Sequence, residues 1–195
     1  MNGYLERWLE ELLATPGVTG VDDRETARRV LLGDALRAIP LLERFPGSVV
    51  DVGSGGGVPG IPLATSFSER QFTLLEAERR KCDFLERVTA SLDNVAVVWG
   101  RAEEQTPDTY GIALAKALAK PPVAAELCLP LVRPGGVAIL WLAASADRDA
   151  VAAVAARLNG RLEEDLDGLV VLRKRGPTPA GFPRRPGIAK KRPLA

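Results

Sequence analysis

The chain of 195 residues contains no histidine. That removes a histidine general base, a Ser-His-Asp triad and most zinc sites in one step. Its two cysteines, Cys82 and Cys128, stand at no metal-ligand spacing, and both fall in helical patterns. Buried reduced thiols and no metal site are therefore expected. No apolar run approaches the ~18 residues of a membrane span. The first residues, Met-Asn-Gly-Tyr-Leu-Glu-Arg, lack a signal-peptide layout, so the expected location is the cytoplasm. Acidic residues are missing from Arg173 onward, where eight Lys/Arg stand. The other 18 Lys/Arg face 25 Asp/Glu, so a total of +1 conceals an acidic body of net −7 with a basic end. Such a layout marks either nucleic-acid contact or a solubilising end. At this length, and with 46% hydrophobic residues, one domain with one substantial core is expected.

What the chain does have is concentrated between Val49 and Leu63: Val-Val-Asp-Val-Gly-Ser-Gly-Gly-Gly-Val-Pro-Gly-Ile-Pro-Leu. A short β-branched run ends in Asp51, a glycine-rich turn follows, and a helix is predicted to open near Val58 with Pro59 and Pro62 in its first turn. Strand, glycine turn and helix open a nucleotide-type binding domain. Glycine lets the backbone approach a ligand closely, and the helix start offers unpaired N–H groups. Two patterns fit. Gly55, Gly57 and Gly60 match the G-x-G-x-x-G of dinucleotide sites. Asp51, Gly53, Gly55 and Gly57 match the [DE]-x-G-x-G-x-G of methyltransferases that use S-adenosylmethionine. Asp51 favours the second, because a carboxylate there would repel a pyrophosphate but suits the ammonium of a methionine moiety. The cofactor candidates on this turn are Asp51, Gly53, Ser54, Gly55, Gly57 and Val58.

Before the turn, Tyr4–Leu13 carries an apolar stripe (Tyr4, Leu5, Trp8, Leu9, Leu12, Leu13) and must dock on something. Asp22 and Glu25 read as a cap pair for a second helix running to about Ile39, before Pro40. After the turn, strands and helices alternate. Strands are predicted at Val49–Val52, Phe72–Leu75, Val95–Trp99, Ile112–Ala115 and Val137–Leu142. Helices are predicted at Pro59–Thr65, Glu78–Leu92, Val123–Leu131 and Asp147–Leu158, and Arg133–Gly136 reads as a turn. Asp167-Gly168 is a hairpin signal between strands near Arg161–Asp165 and Leu169–Arg173. The expected fold is a Rossmann-like α/β methyltransferase fold. Its sheet is mostly parallel and seven-stranded with an antiparallel edge strand, and an N-terminal helical extension precedes it. The expected layout is residues 1–46 extension, 47–175 methyltransferase domain and 176–195 basic, Pro-rich tail. Glu76 ends the second strand, where an acidic side chain takes the two ribose hydroxyls of an adenosine. Ala102 and Glu103 follow the third strand, where an adenine edge would lie.

These residues resemble the signature of the ribosomal RNA small-subunit methyltransferase G family, also called glucose-inhibited division protein B. The Pro-Gly-Ile-Pro-Leu extension of the turn is the most distinctive part. Leu74–Ala77 with Arg80-Lys81, Arg101–Glu104, Pro134–Gly136 and the tail Pro183–Gly187 also match. Val18-Thr19, ahead of the second helix, looks like the family's Leu-Thr. The resemblance implies S-adenosylmethionine as cofactor and methyl transfer to N7 of one guanine in small-subunit (16S) ribosomal RNA. It implies cofactor contacts at Gly53, Val58, Ala102 and Glu103, with Lys116 standing where the family has Arg. Two further departures are Gly111 for Asp and Leu142-Ala143 for Lys-Gly.

The expected partner is ribosomal RNA or the small ribosomal subunit, with no membrane, and the expected state is a monomer. Guanine N7 is a lone pair without a proton, so no catalytic side chain is singled out. Lys116 is expected near the methionine carboxylate or an RNA phosphate. Arg184, Arg185, Lys190, Lys191 and Arg192 are expected to meet RNA phosphates on an end kept extended by its prolines. Two other readings stay open: an RNA- or ribosome-binding protein of the same fold that has lost turnover, and a small-molecule methyltransferase.

Overall fold

The computed structural model describes residues 3–195. The apolar stripe of the first segment becomes α1 (Gly3–Ala14), with Leu5, Trp8, Leu9 and Leu12 buried. The next helical run is capped one residue later than expected: Asp23, not Asp22, accepts the Thr26 N–H at 2.8 Å. It passes through α2 (Arg24–Ala27), a π-helical stretch (Arg28–Gly33) and α3 (Asp34–Leu36). Pro40 does not stop this run. It sits in the first turn of a further helix, α4 (Ile39–Arg44), where a missing N–H forfeits no intrahelical bond.

Seven strands follow: β1 (Val49–Val52), β2 (Phe72–Glu76), β3 (Val95–Trp99), β4 (Tyr110–Lys116), β5 (Val132–Trp141), β6 (Gly160–Leu166) and β7 (Leu169–Lys174). Their order in the sheet is β3-β2-β1-β4-β5-β7-β6. The first five are parallel, and β7 runs antiparallel to both of its neighbours, one in from the edge. The connecting helices are α5 (Gly60–Ser66), α6 (Arg79–Thr89), α7 (Pro121–Cys128) and α8 (Arg148–Arg157).

Side-chain alternation divides the strands between two covered faces. Val50, Val52, Ala113, Ala115, Ala138 and Leu140 pack with residues of α7 and α8. Val49, Ile112, Leu114, Val137 and Ile139 pack with residues of α4 and α5. Both cysteines are buried and free.

Two further expectations need correction. Arg133–Gly136 is not a turn between elements but a bulge inside β5. Tyr110 pairs with Val132 and Ile112 with Val137, so four residues stand opposite Gly111 alone. Gly111 is pressed against the preceding loop, where a Cβ would meet the Pro46 carbonyl at 2.5 Å. That close approach accounts for glycine at this position.

The second correction concerns residues 176–195, which are not an extended tail. They fold back on the domain and end in a short helix, α9 (Ile188–Lys191), with Ala189 buried. The physical reason is that two buried charges require partners. Lys174, wholly buried, donates to the Leu129 carbonyl (2.8 Å) and to Thr178 Oγ1 (2.7 Å), and pairs with Asp108 at 3.2 Å. Glu126, 4% exposed, takes two 2.6 Å bonds from Arg184.

Candidate functional site

A cavity of about 480 Å³ opens at the carboxyl ends of β1, β2, β3 and β4. Chain order reverses between β1 and β4, and open α/β sheets bind ligands at that crevice. The glycine turn forms its floor. Gly53 and Gly55 hold φ of +72° and +55°, a region that side chains disfavour. A Cβ at Gly53 would also strike Leu118 at 2.5 Å. The turn is fastened to β2: the Gly53 and Ser54 N–H groups donate to the Leu75 carbonyl at 2.8 and 3.1 Å.

Glu76 lies at the heart of the wall. One carboxylate oxygen accepts the Gly55 N–H at 2.9 Å and the other the Glu78 N–H at 2.8 Å. Each oxygen keeps a lone pair for a further donor. Two acceptors side by side on a fixed, nearly buried carboxylate suit a vicinal diol.

Of the other sequence candidates, Ser54, Val58, Ala102, Glu103, Lys116 and Lys190 line the same cavity. Glu103 accepts the Gly187 N–H at 3.0 Å, which brings the C-terminal segment onto the wall. Lys116 pairs with Asp34 at 3.3 Å. Arg185, Lys191 and Arg192 are exposed, and Arg184 is committed to Glu126.

Asp51 and Gly57 are not on the wall. Asp51 is 1% exposed beneath the turn, where Oδ2 accepts the Gly60 N–H at 2.9 Å. The helix α5 opens at Gly60, two residues later than expected, and that first N–H meets Asp51 instead of a ligand. Oδ1 of Asp51 is buried without a hydrogen-bond partner among the described residues. Burial pushes the carboxyl up to about 7, against the Gly60 bond. Gly57 faces Ile61 and Leu85, so its lack of a side chain serves packing.

The part of the wall that sequence reading missed is the N-terminal extension. Leu12, Val18, Thr19 and Gly20 close one side of the cavity. Trp8 Nε1 donates to the Gly56 carbonyl at 3.0 Å and braces the turn from below. The sequence does hold a signal for it: an apolar stripe in need of a dock, and close behind it the Val18-Thr19 pair.

Glycine turn, acidic end of β2 and antiparallel β7 define an S-adenosylmethionine-dependent methyltransferase. Solved structures agree at the level of fold. One is the Thermus thermophilus "16S rRNA N2 G1207 methyltransferase" in complex with AdoMet and guanosine (TM-score 0.51, 17% identity, 76% of this chain and 40% of that one). Another is a putative S-adenosyl-L-methionine-dependent methyltransferase of Methanococcus maripaludis (TM-score 0.56, 12% identity, 92% and 97%).

Sequence similarity is closer. A protein of Pelotomaculum thermopropionicum is 38% identical over 198 residues, covering 91% of this chain and 81% of its own length. One of Thermotoga neapolitana is 37% identical over 206 residues, covering 96% and 89%. Both are named "Ribosomal RNA small subunit methyltransferase G". The profile described as "rRNA small subunit methyltransferase G" matches residues 2–163. The chain belongs to this family, and S-adenosylmethionine is its cofactor.

Proposed function

We propose that this protein transfers a methyl group from S-adenosylmethionine to N7 of one guanine in small-subunit ribosomal RNA, acting as a cytoplasmic monomer. The observation that carries the reading is the state of the two wall carboxylates. Glu76 and Glu103 both accept backbone N–H bonds that fix them on the wall as groups that position a ligand, and no histidine stands beside them. Guanine N7 carries no proton and needs none removed. The bound cofactor supplies a methyl carbon made electrophilic by its sulfonium. Transfer to the N7 lone pair would leave the carbon–sulfur electrons on sulfur and the positive charge on the guanine ring.

The chain's own work is therefore binding and alignment. Glu76 takes the ribose hydroxyls, Ala102 and Glu103 flank the adenine, and Gly53, Ser54, Gly55 and Val58 form the bed beneath the methionine part. Lys116, held by Asp34, offers a cation to the methionine carboxylate or an RNA phosphate. Lys190, Lys191, Arg185 and Arg192 are exposed cations for RNA phosphates. Arg184 serves instead to fasten the segment that carries them. The monomer reading rests on the surface: among the described residues Trp99 and Leu166 alone are exposed large hydrophobics. No helix among them is long and apolar enough to cross a membrane.

The test is transfer of label from S-adenosylmethionine to unmodified small-subunit RNA, naked and assembled, with the modified base identified by mass spectrometry. N7-methylguanine at one site is the expected result. Cofactor binding without label would favour a binding protein that has lost turnover.

A further inference from the structure

We propose that the acceptor guanine enters a second cavity beside the cofactor site and sets its Watson–Crick edge against the Asp34 carboxylate. This inference rests on the function proposed above. The second cavity, of about 290 Å³, is lined by Asp34, Arg37, Trp141, Leu142 and Asp167 and shares Lys116 and Ala117 with the cofactor cavity. That shared edge lies at the end of β4, opposite the end of the cofactor cavity that Gly100, Arg101 and Glu103 line for adenine.

A third cavity, of about 310 Å³, also touches Ala117 and Leu118. Its lining includes Ala119, Pro121 and Ala124 and carries no charged side chain. The difference decides between them. Guanine presents N1–H and N2–H donors on one edge, and such donors need acceptors once removed from water. The second cavity supplies a carboxylate and the third does not.

The carboxylate is held in place from several directions. Asp34 Oδ1 accepts from Arg37 at 2.9 Å, and Oδ2 pairs with Lys116 at 3.3 Å. Arg37 is anchored in turn by the carbonyl and carboxylate of Asp167 in the β6–β7 turn. Trp141 Nε1 donates to the Asp34 carbonyl at 3.1 Å and ties α3 to the end of β5. Each Asp34 oxygen retains acceptor capacity, and the two together match adjacent N1–H and N2–H donors.

The placement also has a catalytic consequence. As the methyl arrives at N7 the ring becomes cationic, and its N1–H and N2–H become stronger donors. A carboxylate on that edge binds the transition state more tightly than the starting base, which is the condition for acceleration.

The experiment is single-turnover methylation of an RNA fragment carrying guanine, inosine or 7-deazaguanine at the mapped target. Wild type and the Asp34→Asn and Asp34→Ala variants are compared, with S-adenosylmethionine affinity titrated for each. Wild type is expected to be slower on inosine by about tenfold, since inosine lacks the N2 donors. Asp34→Ala should be slower on guanine by about a hundredfold, should no longer distinguish guanine from inosine, and should keep its cofactor affinity. Asp34→Asn, which retains one acceptor, should fall between. Wild type that labels guanine and inosine equally overturns the placement without any variant. So does Asp34→Ala that still discriminates, or whose rate falls only in step with a weaker hold on the cofactor through Lys116. No label from wild type on the guanine RNA overturns the underlying function, and the placement with it. Label on 7-deazaguanine would do the same by removing N7 as the acceptor.

Discussion

The cofactor cavity is closed from two sides by pieces of chain that are attached by different physics. On one side α1 lays Leu5, Trp8, Leu9 and Leu12 against Ile61, Phe84 and Leu85, a mainly apolar contact with hydrogen bonds from Trp8 to the turn and from Tyr4 to the Val88 carbonyl and an exposed ion pair, Glu11–Arg87. On the other, residues 176–195 are fastened by Arg184–Glu126 and by Thr178 and Lys174 on Asp108, with Ala189 their one buried apolar side chain. Apolar attachment does not respond to charge screening or to protonation, whereas attachment through charges responds to both. The first cover should behave as part of the core and the second as a fitted strap.

The largest effect that would break this contrast is at Trp8. Trp8→Ala removes a 2%-exposed indole and the brace on Gly56, so a loss of about 4 kcal/mol is expected in urea unfolding. Cofactor affinity should fall with it in the same titrations. Glu126→Gln should act on the other side, leaving Arg184 without its anion. We expect about 2 kcal/mol, less than for a fully buried pair because Arg184 is partly exposed. The sign of the strap would be earlier tryptic cleavage after Arg184, with the sheet core still protected.

Protons should separate the glycine turn from the strap, with opposite signs. Asp51, beneath the turn, rises from its ordinary 3.8 to about 7 by burial. Between those values the native protein holds a proton that the unfolded chain has released. Its contribution is full below the unfolded value and is lost as pH rises through about 7. A slope on the order of 1 kcal/mol per pH unit is expected over that window, and Asp51→Asn should flatten it. Asp108, on the strap, goes the other way. Burial works to raise it, but the Thr178 N–H and hydroxyl and the Lys174 ammonium hold its carboxyl below 3.8. Its contribution is present above the ordinary value and lost as pH falls, so acid should release the strap first, as hydrogen exchange at residues 176–192 would report.

The smallest effect on stability should come from Lys190, Lys191 and Arg192 changed together to Gln. Exposed cations there should alter stability by less than about 0.5 kcal/mol. The salt dependence of RNA binding should become shallower by about one unit of slope for each phosphate that is no longer neutralised.

How much of this is readable in the chain depends on how local the cause is. The span of β1, the position of Glu76 and the Asp167-Gly168 hairpin follow from short patterns of β-branched, glycine and turn residues, and the structure has them at those places. Pro40 misleads because the same missing N–H that ends one helix is harmless in the first turn of the next. Asp51 misleads because its direction is set by one N–H nine residues on, at Gly60, which no spacing rule reveals. The fold-back of the C-terminal segment depends on Arg184 finding Glu126, 58 positions earlier. A run of basic residues and prolines looks the same whether its partners exist or not.

The cavity wall begins at Leu12 and is not complete until Lys190. A chain still being synthesised can form α1 and the glycine turn early, but it has no finished binding pocket until Lys190 has left the ribosome. Chains shorter than that should therefore be inert toward the cofactor, and the ability to bind it should appear abruptly once Lys190 has emerged.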